Sequence, residues 1–201
     1  MVSNDTERKS DMEKTRVGFA MCGSFCMLTE TLSQLPELCE YGFDITPIMS
    51  ETTFNTDTRF GTAEHFRSFV TDTTGHEIMH SIRDAEPIGP KKLLDLLIIA
   101  PCTGNTLGKI ALGITDSSVT MAAKAHLRNK RPLLIAVSTN DALSASAKNI
   151  GTLLNSKNVY FVPMRQDDPN NKETSLVADM KLLLPSAIAA LEGRQLQPLF
   201  A

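Results

Sequence analysis

The hexapeptide Gly75-His76-Glu77-Ile78-Met79-His80 contains H-E-x-x-H, the spacing with which zinc proteases place two imidazoles and a general base on one helical face. That chemistry needs a helix, because only helical spacing brings positions i and i+4 to the same side. It also needs a third ligand. Gly75, Pro87, Gly89 and Pro90 punctuate the surrounding segment, so no long helix fits, and the single histidine further on, His126, falls on a helix of another unit. No metal site is expected. His65, beside Phe66 and Phe69, reads as a packing side chain, with a ligand-facing orientation as the alternative. His126, among Lys124, Arg128, Lys130 and Arg131, reads as part of a solvated helix end that suits the helix dipole.

A second kind of chemistry is spread over three short stretches, each following an apolar run: Gly23-Ser24, Pro101-Cys102-Thr103-Gly104-Asn105-Thr106 and Ser138-Thr139-Asn140. Small residues let a ligand approach the backbone, and Ser, Thr and Asn donate hydrogen bonds without adding charge. Helix N-termini at such places attract anions. A phosphate and a flat heterocycle suit this lining. Any one stretch is equally an ordinary helix cap. Three together, with neither G-x-G-x-x-G nor G-x-x-x-x-G-K-[ST] in the chain, favour a mononucleotide over a dinucleotide or a nucleoside triphosphate.

Composition narrows the classes. The 201 residues are 42% hydrophobic and 21% charged, enough for one α/β domain with a sizeable core. A formal charge of −3 without a dense basic cluster argues against nucleic acid as a partner. Residues 1–15 form a polar N-terminal extension with no secretory h-region, and no later run reaches membrane-spanning length, so a cytoplasmic protein is expected. Cys22, Cys26, Cys39 and Cys102 include no C-x-x-C pair and read as reduced thiols.

The elements that must position these stretches alternate. Arg16 to Met21 reads as a strand, followed by a helix carrying Leu28, Leu32, Leu35 and Leu38 with a kink or break at Pro36, closed by Gly42. Phe43 to Met49 is the second strand, ending at Ser50. Residues 51–61, rich in Thr, Asn and Asp, read as a turn-forming loop before a helix from Thr62 to about Val70. Leu93 to Ala100 and Pro132 to Val137 have the continuous apolar character of strands buried on both faces. Helices follow at Thr106 to Leu112 and Ser117 to Asn129, and one after Ser138 is expected to be capped by Asn140 or Asp141. Val159 to Val162 is the last predicted strand, and Leu176 to Leu191 the closing helix. This order predicts a single domain, an α/β doubly wound parallel sheet.

The run APCTGNTLGKIALGITD, Ala100 to Asp116, resembles the P-x-S-x-N-T-x-x-K-x-A-x-G-x-x-D motif of the flavoprotein family of phosphopantothenoylcysteine decarboxylases, lantibiotic-peptide decarboxylases and flavin prenyltransferases. Gly23-Ser24 matches that family's phosphate turn. The segments TDTRFG, MAAKAHLRNKRP, VSTNDAL, QDDP, SLVADM and ALEGRQLQP are similar to one branch, and the likeness covers residues 16 to 198. The resemblance implies a single flavodoxin-like domain over residues 16–198, a three-layer sandwich with FMN bound by Gly23 and Ser24, by Ser50, by Thr103, Gly104, Asn105 and Thr106, and by Ser138, Thr139 and Asn140. It also implies a homo-oligomer, a trimer or a multiple of trimers. For that branch it implies an oxidoreductase subunit that, with a second, NAD(P)-dependent chain, forms pyridine-2,6-dicarboxylate from a dihydro or hydroxytetrahydro precursor. A flavin prenyltransferase or decarboxylase, and a non-catalytic accessory chain, are the alternatives. A dicarboxylate wants guanidinium partners. Arg59 is the first candidate and Arg165 the second. The family's decarboxylases carry a histidine shortly before the central strand, where this chain has DAEPIGPKKLLD with Pro87, and Ser138-Thr139-Asn140-Asp141-Ala142 replaces their later P-x-M-N-x-x-M.

Overall fold

The computed structural model describes residues 14–200, so all of the expected extension except its last two residues lies outside the described residues. Five parallel strands form the centre: β1 (Arg16–Met21), β2 (Asp44–Met49), β3 (Leu96–Cys102), β4 (Leu133–Thr139) and β5 (Val159–Phe161), in the spatial order β2-β1-β3-β4-β5. That is the order of a flavodoxin-like doubly wound sheet. Side chains alternate across it. Leu97, Ile99, Leu133, Ile135 and Val137 face one core, and Leu96, Ile98, Leu134 and Ala136 face the other. Both layers are helical, which is why β3 and β4 read as unbroken apolar runs.

One layer holds α5 (Ile82–Ala85), α6 (Gly104–Leu112), α7 (Ser118–Leu127) and α8 (Ala147–Leu154). The other holds α1 (Phe25–Leu32), α2 (Leu35–Glu40), α4 (Ala63–Thr74) and α9 (Leu183–Leu191). The break between α1 and α2 falls where Pro36 requires it, in the first turn of the second helix.

Four expectations are corrected. The segment 51–61 opens as a helix, α3 (Glu51–Asn55), because the Ser50 hydroxyl accepts from Thr53 N at 3.2 Å and caps it. Leu176 does not begin the closing helix: β6 (Met164–Arg165) and β7 (Leu176–Ala178) form an antiparallel ribbon, and β7 pairs with Ser138 and Thr139 on the β4 edge beyond short β5. Neither Asn140 nor Asp141 caps α8, which starts at Ala147 after a run of turns. His126 is not solvated. It is fully buried, with Nε2 2.8 Å from Pro132 O, and burial, the largest influence, lowers its pKa from 6.5 to about 4. The polarity of its sequence neighbours misled the reading. Arg131, a few residues on, turns inward to Asp95 at 2.7 Å.

Candidate functional site

The H-E-x-x-H segment is settled first by its backbone. Helix α4 ends at Gly75, whose φ of 70° is left-handed, and the chain then runs extended along the β2 edge, with Met79 N bonded to Pro47 O at 3.0 Å and Met49 N to Met79 O at 2.9 Å. Extended spacing separates the imidazoles. His76 Nε2 meets Asp44 Oδ1 at 2.8 Å, while the His80 ring stacks on Phe54 at 3.9 Å. Among the described residues no group of three or more His, Cys, Asp or Glu could hold a metal ion.

At the carboxyl ends of the strands two cavities, of about 570 and 510 Å³, meet at Gly23 and Thr103. The first is lined by Cys22, Ser50, Asn105 and Thr106 together with Glu51, Thr52, Lys109, Asp116 and Ser117. Three helix N-termini converge on it, each closed by a hydroxyl: Ser50 on α3, Thr103 on Thr106 N at 3.2 Å, and Ser117 on Thr120 N at 3.2 Å. Aligned N–H groups give such a place a positive potential. The two carboxylates of the lining do not oppose it freely. Asp116 is paired with Lys109 at 2.9 Å, and Glu51 accepts from Ser118 N at 3.2 Å.

The second cavity is lined by Ser24, Ser138, Thr139 and Asn140 with Phe25, Cys26, Met27, Arg59, Phe60, Asp167, Lys172, Ser175 and Val177. Ser24 Oγ and Ser138 Oγ are hydrogen bonded at 2.7 Å, which ties the first junction to the fourth across the sheet. Arg59 stands at the tip of a tight turn closed by bonds between Thr58 and Gly61 at 3.0 and 3.1 Å, its guanidinium 4.8 Å from the Phe60 ring centroid. Arg165, exposed on β6, lines neither cavity. His65 is exposed, its ring 5.6 Å from that of Phe66, and also lines neither.

Nine of the ten residues expected to hold a cofactor thus border the paired cavities. Gly104 does not. A Cβ there would lie 2.7 Å from Thr139 Oγ1, 2.8 Å from Asp141 Oδ1 and 2.9 Å from Ser146 Oγ, so its role is to let α6 abut the fourth loop. At Gly23 a Cβ would stand 3.4 Å from Phe25 Cε2 and 3.9 Å from Thr52 Cγ2, between one wall of each cavity, so a bare backbone keeps the neck open. Beneath the site Cys102 is buried, a free thiol pushed well above the ordinary range by its hydrogen bond with the Cys22 thiol and by burial. It stays protonated. The sequence reading quoted QDDP and SLVADM only as likenesses to one branch and gave no site role to Asp167, Lys172 or Ser175, which the β6–β7 ribbon carries in.

A three-layer sheet with order 2-1-3-4-5 and a crevice of hydroxyl and amide groups at its strand ends defines a flavodoxin-like α/β protein, and the family model described as Flavoprotein matches residues 5–182: the chain belongs to that family. It is 43% identical over 190 residues to the B subunit of dipicolinate synthase from Bacillus subtilis (strain 168), with 94% of this chain and 95% of that protein covered. The crystal structure of the dipicolinate synthase B subunit from Bacillus halodurans superposes with a TM-score of 0.86 at 44% identity, over 93% of this chain and 96% of the other. The FMN-dependent cysteine decarboxylase SpaF shares the fold alone, at a TM-score of 0.64 and 21% identity over 89% and 97% of the two chains. Among the described residues no helix is long and apolar enough to cross a membrane.

Proposed function

We propose that this chain acts, through one domain of residues 16–198, as the B subunit of a dipicolinate synthase, a cytoplasmic oxidoreductase of sporulation that binds FMN in the paired cavities. The observation that carries the flavin reading is the convergence of three hydroxyl-capped helix N-termini on one cavity that opens, past a bare glycine, into a second. The donor set fits the group. Hydroxyls and backbone N–H groups around Ser50, Thr103, Thr106 and Ser117 suit a phosphomonoester, and bare Gly23, opposite Thr103, leaves room at the neck for the rest of the mononucleotide. This reading keeps Gly23-Ser24 as the phosphate turn at the neck between the cavities and adds the α6 and α7 N-termini that border the first. When bound, the flavin supplies a two-electron acceptor.

The second cavity is the place for a dicarboxylate. Arg59 makes no ion pair with any described residue, so its five N–H donors are free to take a planar carboxylate in two-pronged fashion. From a hydroxytetrahydro precursor the reaction removes one water, two electrons and two protons, driven by aromatisation of the ring. The A subunit of the synthase, which takes NAD(P), is the partner, and a trimer or multiple of trimers the assembly. The near-full-length likeness to B subunits of dipicolinate synthase favours this reading over a prenyltransferase or decarboxylase, and the lack of a histidine in DAEPIGPKKLLD weighs further against a decarboxylase.

The experiment is titration with FMN, followed by reconstitution of the two-chain enzyme. Wild-type protein should bind one FMN, and Asn105→Trp, which puts an indole into the first cavity, should not. Arg59→Ala should raise the apparent KM of the reconstituted enzyme roughly tenfold to a hundredfold with folding and flavin binding intact. Full activity from the isolated A subunit would assign this chain an accessory role, and a protein that takes up no FMN would remove the flavin reading.

A further inference from the structure

Besides Arg59, one cation among the described residues lines the second cavity: Lys172, fifty per cent exposed at its side chain, on the loop between β6 and β7. This loop is held in place by its own bonds. Lys172 N donates to Asp168 O at 2.7 Å, Ser175 N to Lys172 O at 3.0 Å, and Gln166 Nε2 to Glu173 O at 2.7 Å. It is also tied to the fourth junction. Thr174 Oγ1 donates to Asn140 O at 2.6 Å, and Ser175 Oγ to Asn140 Oδ1 at 3.3 Å.

Within that frame Lys172 Nζ donates to Asp167 Oδ2 at 2.9 Å, and Asp167 is three-quarters buried. Burial acts to raise the Asp167 pKa, but the neighbouring Ser175 hydroxyl and the Lys172 ammonium outweigh it and leave the carboxyl below its usual range. The bond to Asp167 in turn raises the Lys172 pKa. Both groups are therefore charged at neutral pH, and the ammonium keeps two further donors for a ligand. A lone lysine on a loop would sweep a wide volume; this one is anchored by a largely buried carboxylate. Arg59 lines the same cavity, its guanidinium engaged by no carboxylate among the described residues.

We propose that Lys172, positioned by Asp167, is the second arm of a two-cation clamp with Arg59, so that the cavity selects molecules carrying two carboxylates over those carrying one. The inference rests on the dicarboxylate reading above and adds the residues that set its specificity. One carboxylate takes the two-pronged contact of Arg59, and the other accepts from the ammonium, where a point charge tolerates the changing ring geometry between a puckered precursor and a flat aromatic product. Asp167 is a positioning residue: it orients the ammonium and touches no substrate atom.

The test is calorimetric binding of pyridine-2,6-dicarboxylate and of pyridine-2-carboxylate, in metal-free buffer because both chelate, to the FMN-loaded protein. Wild type should prefer the diacid by roughly tenfold. Lys172→Met should abolish that preference, Lys172→Arg should keep most of it, and Asp167→Asn should reduce it while leaving monoacid affinity unchanged. Lys172 is exposed, so its replacement leaves the core intact, and the wild-type comparison of two ligands needs no variant. An unchanged preference in Lys172→Met would overturn the clamp while sparing the dicarboxylate reading. Failure of the diacid to bind wild type at all would overturn both.

Discussion

Replacing Gly104 by alanine adds a single methyl group at the seam between the third and fourth strand ends. The added carbon would meet three oxygens at 2.7, 2.8 and 2.9 Å, each well inside ordinary van der Waals contact. None is the free end of a flexible chain. Thr139 Oγ1 donates to Asp141 Oδ1 at 2.5 Å, and Ser146 Oγ donates to the same carboxylate at 3.0 and 3.1 Å, so one cannot yield without the others. Overpacking of this kind costs about 1–3 kcal/mol, and loss of one of these charge-assisted bonds adds about 1.5 kcal/mol. We expect about 3 kcal/mol of lost stability, a fall in Tm of roughly 6–12 °C for a chain of this size. Because Thr103 and Thr139 flank the junction, FMN affinity should fall with it. Gly108 and Gly151 provide the controls. A Cβ at Gly108 meets Asn149 Nδ2 at 3.2 Å, the end of a side chain able to turn away, and at Gly151 it meets nothing. Alanine there should leave Tm unchanged or raise it, by up to about 1 kcal/mol of helix propensity. Thermal unfolding and FMN titration of the three variants decide the matter. A Gly104→Ala protein as stable as the Gly108→Ala protein would refute the close-packed seam.

Three further outcomes are expected. His126 is held neutral with its pKa lowered to about 4, so the unfolded chain binds the extra proton first; stability should be unaffected above pH 6.5 and decline as pH falls from there to 4, by on the order of 3 kcal/mol, and His126→Gln should flatten that part of a urea-derived stability profile. Cys26 is the one exposed thiol, against buried Cys22 and Cys102 and half-buried Cys39, so an aromatic disulfide reagent should release one equivalent rapidly, and pyridine-2,6-dicarboxylate, filling the cavity that Cys26 lines, should slow it. Chelators should leave the reconstituted activity untouched and metal analysis of the purified protein should find no zinc; one equivalent of zinc, lost in His76→Ala, would overturn the reading of H-E-x-x-H.

The order of strands and helices was legible in the sequence because it rests on local periodicity and on burial from both faces: β3 and β4 could be little else than inner parallel strands, and Pro36 broke its helix where its ring must. The three junctions that border the paired cavities were legible for the same reason, since crevices in such sheets lie at strand carboxyl ends and small polar residues there stand out against apolar runs. The features that sequence could not decide depended on partners distant in the chain. Leu176 to Ala178 continues the helical periodicity of the residues after it, yet pairs as a strand because short β5 leaves the end of the β4 edge unfilled. His126 sits in a basic run but lies in the core, because α7 turns that face toward Pro132 O and the nearby Arg131 finds Asp95. The imidazoles of H-E-x-x-H have helical spacing in a segment that β2 holds extended, so the hydrogen bonds of a sheet edge, absent from any local pattern, determined that they do not share a helical face. Lys172 reaches the cavity through a ribbon whose existence depends on that same β4 edge, which is why its place in one cavity with Arg59, more than a hundred residues earlier, became visible only in three dimensions.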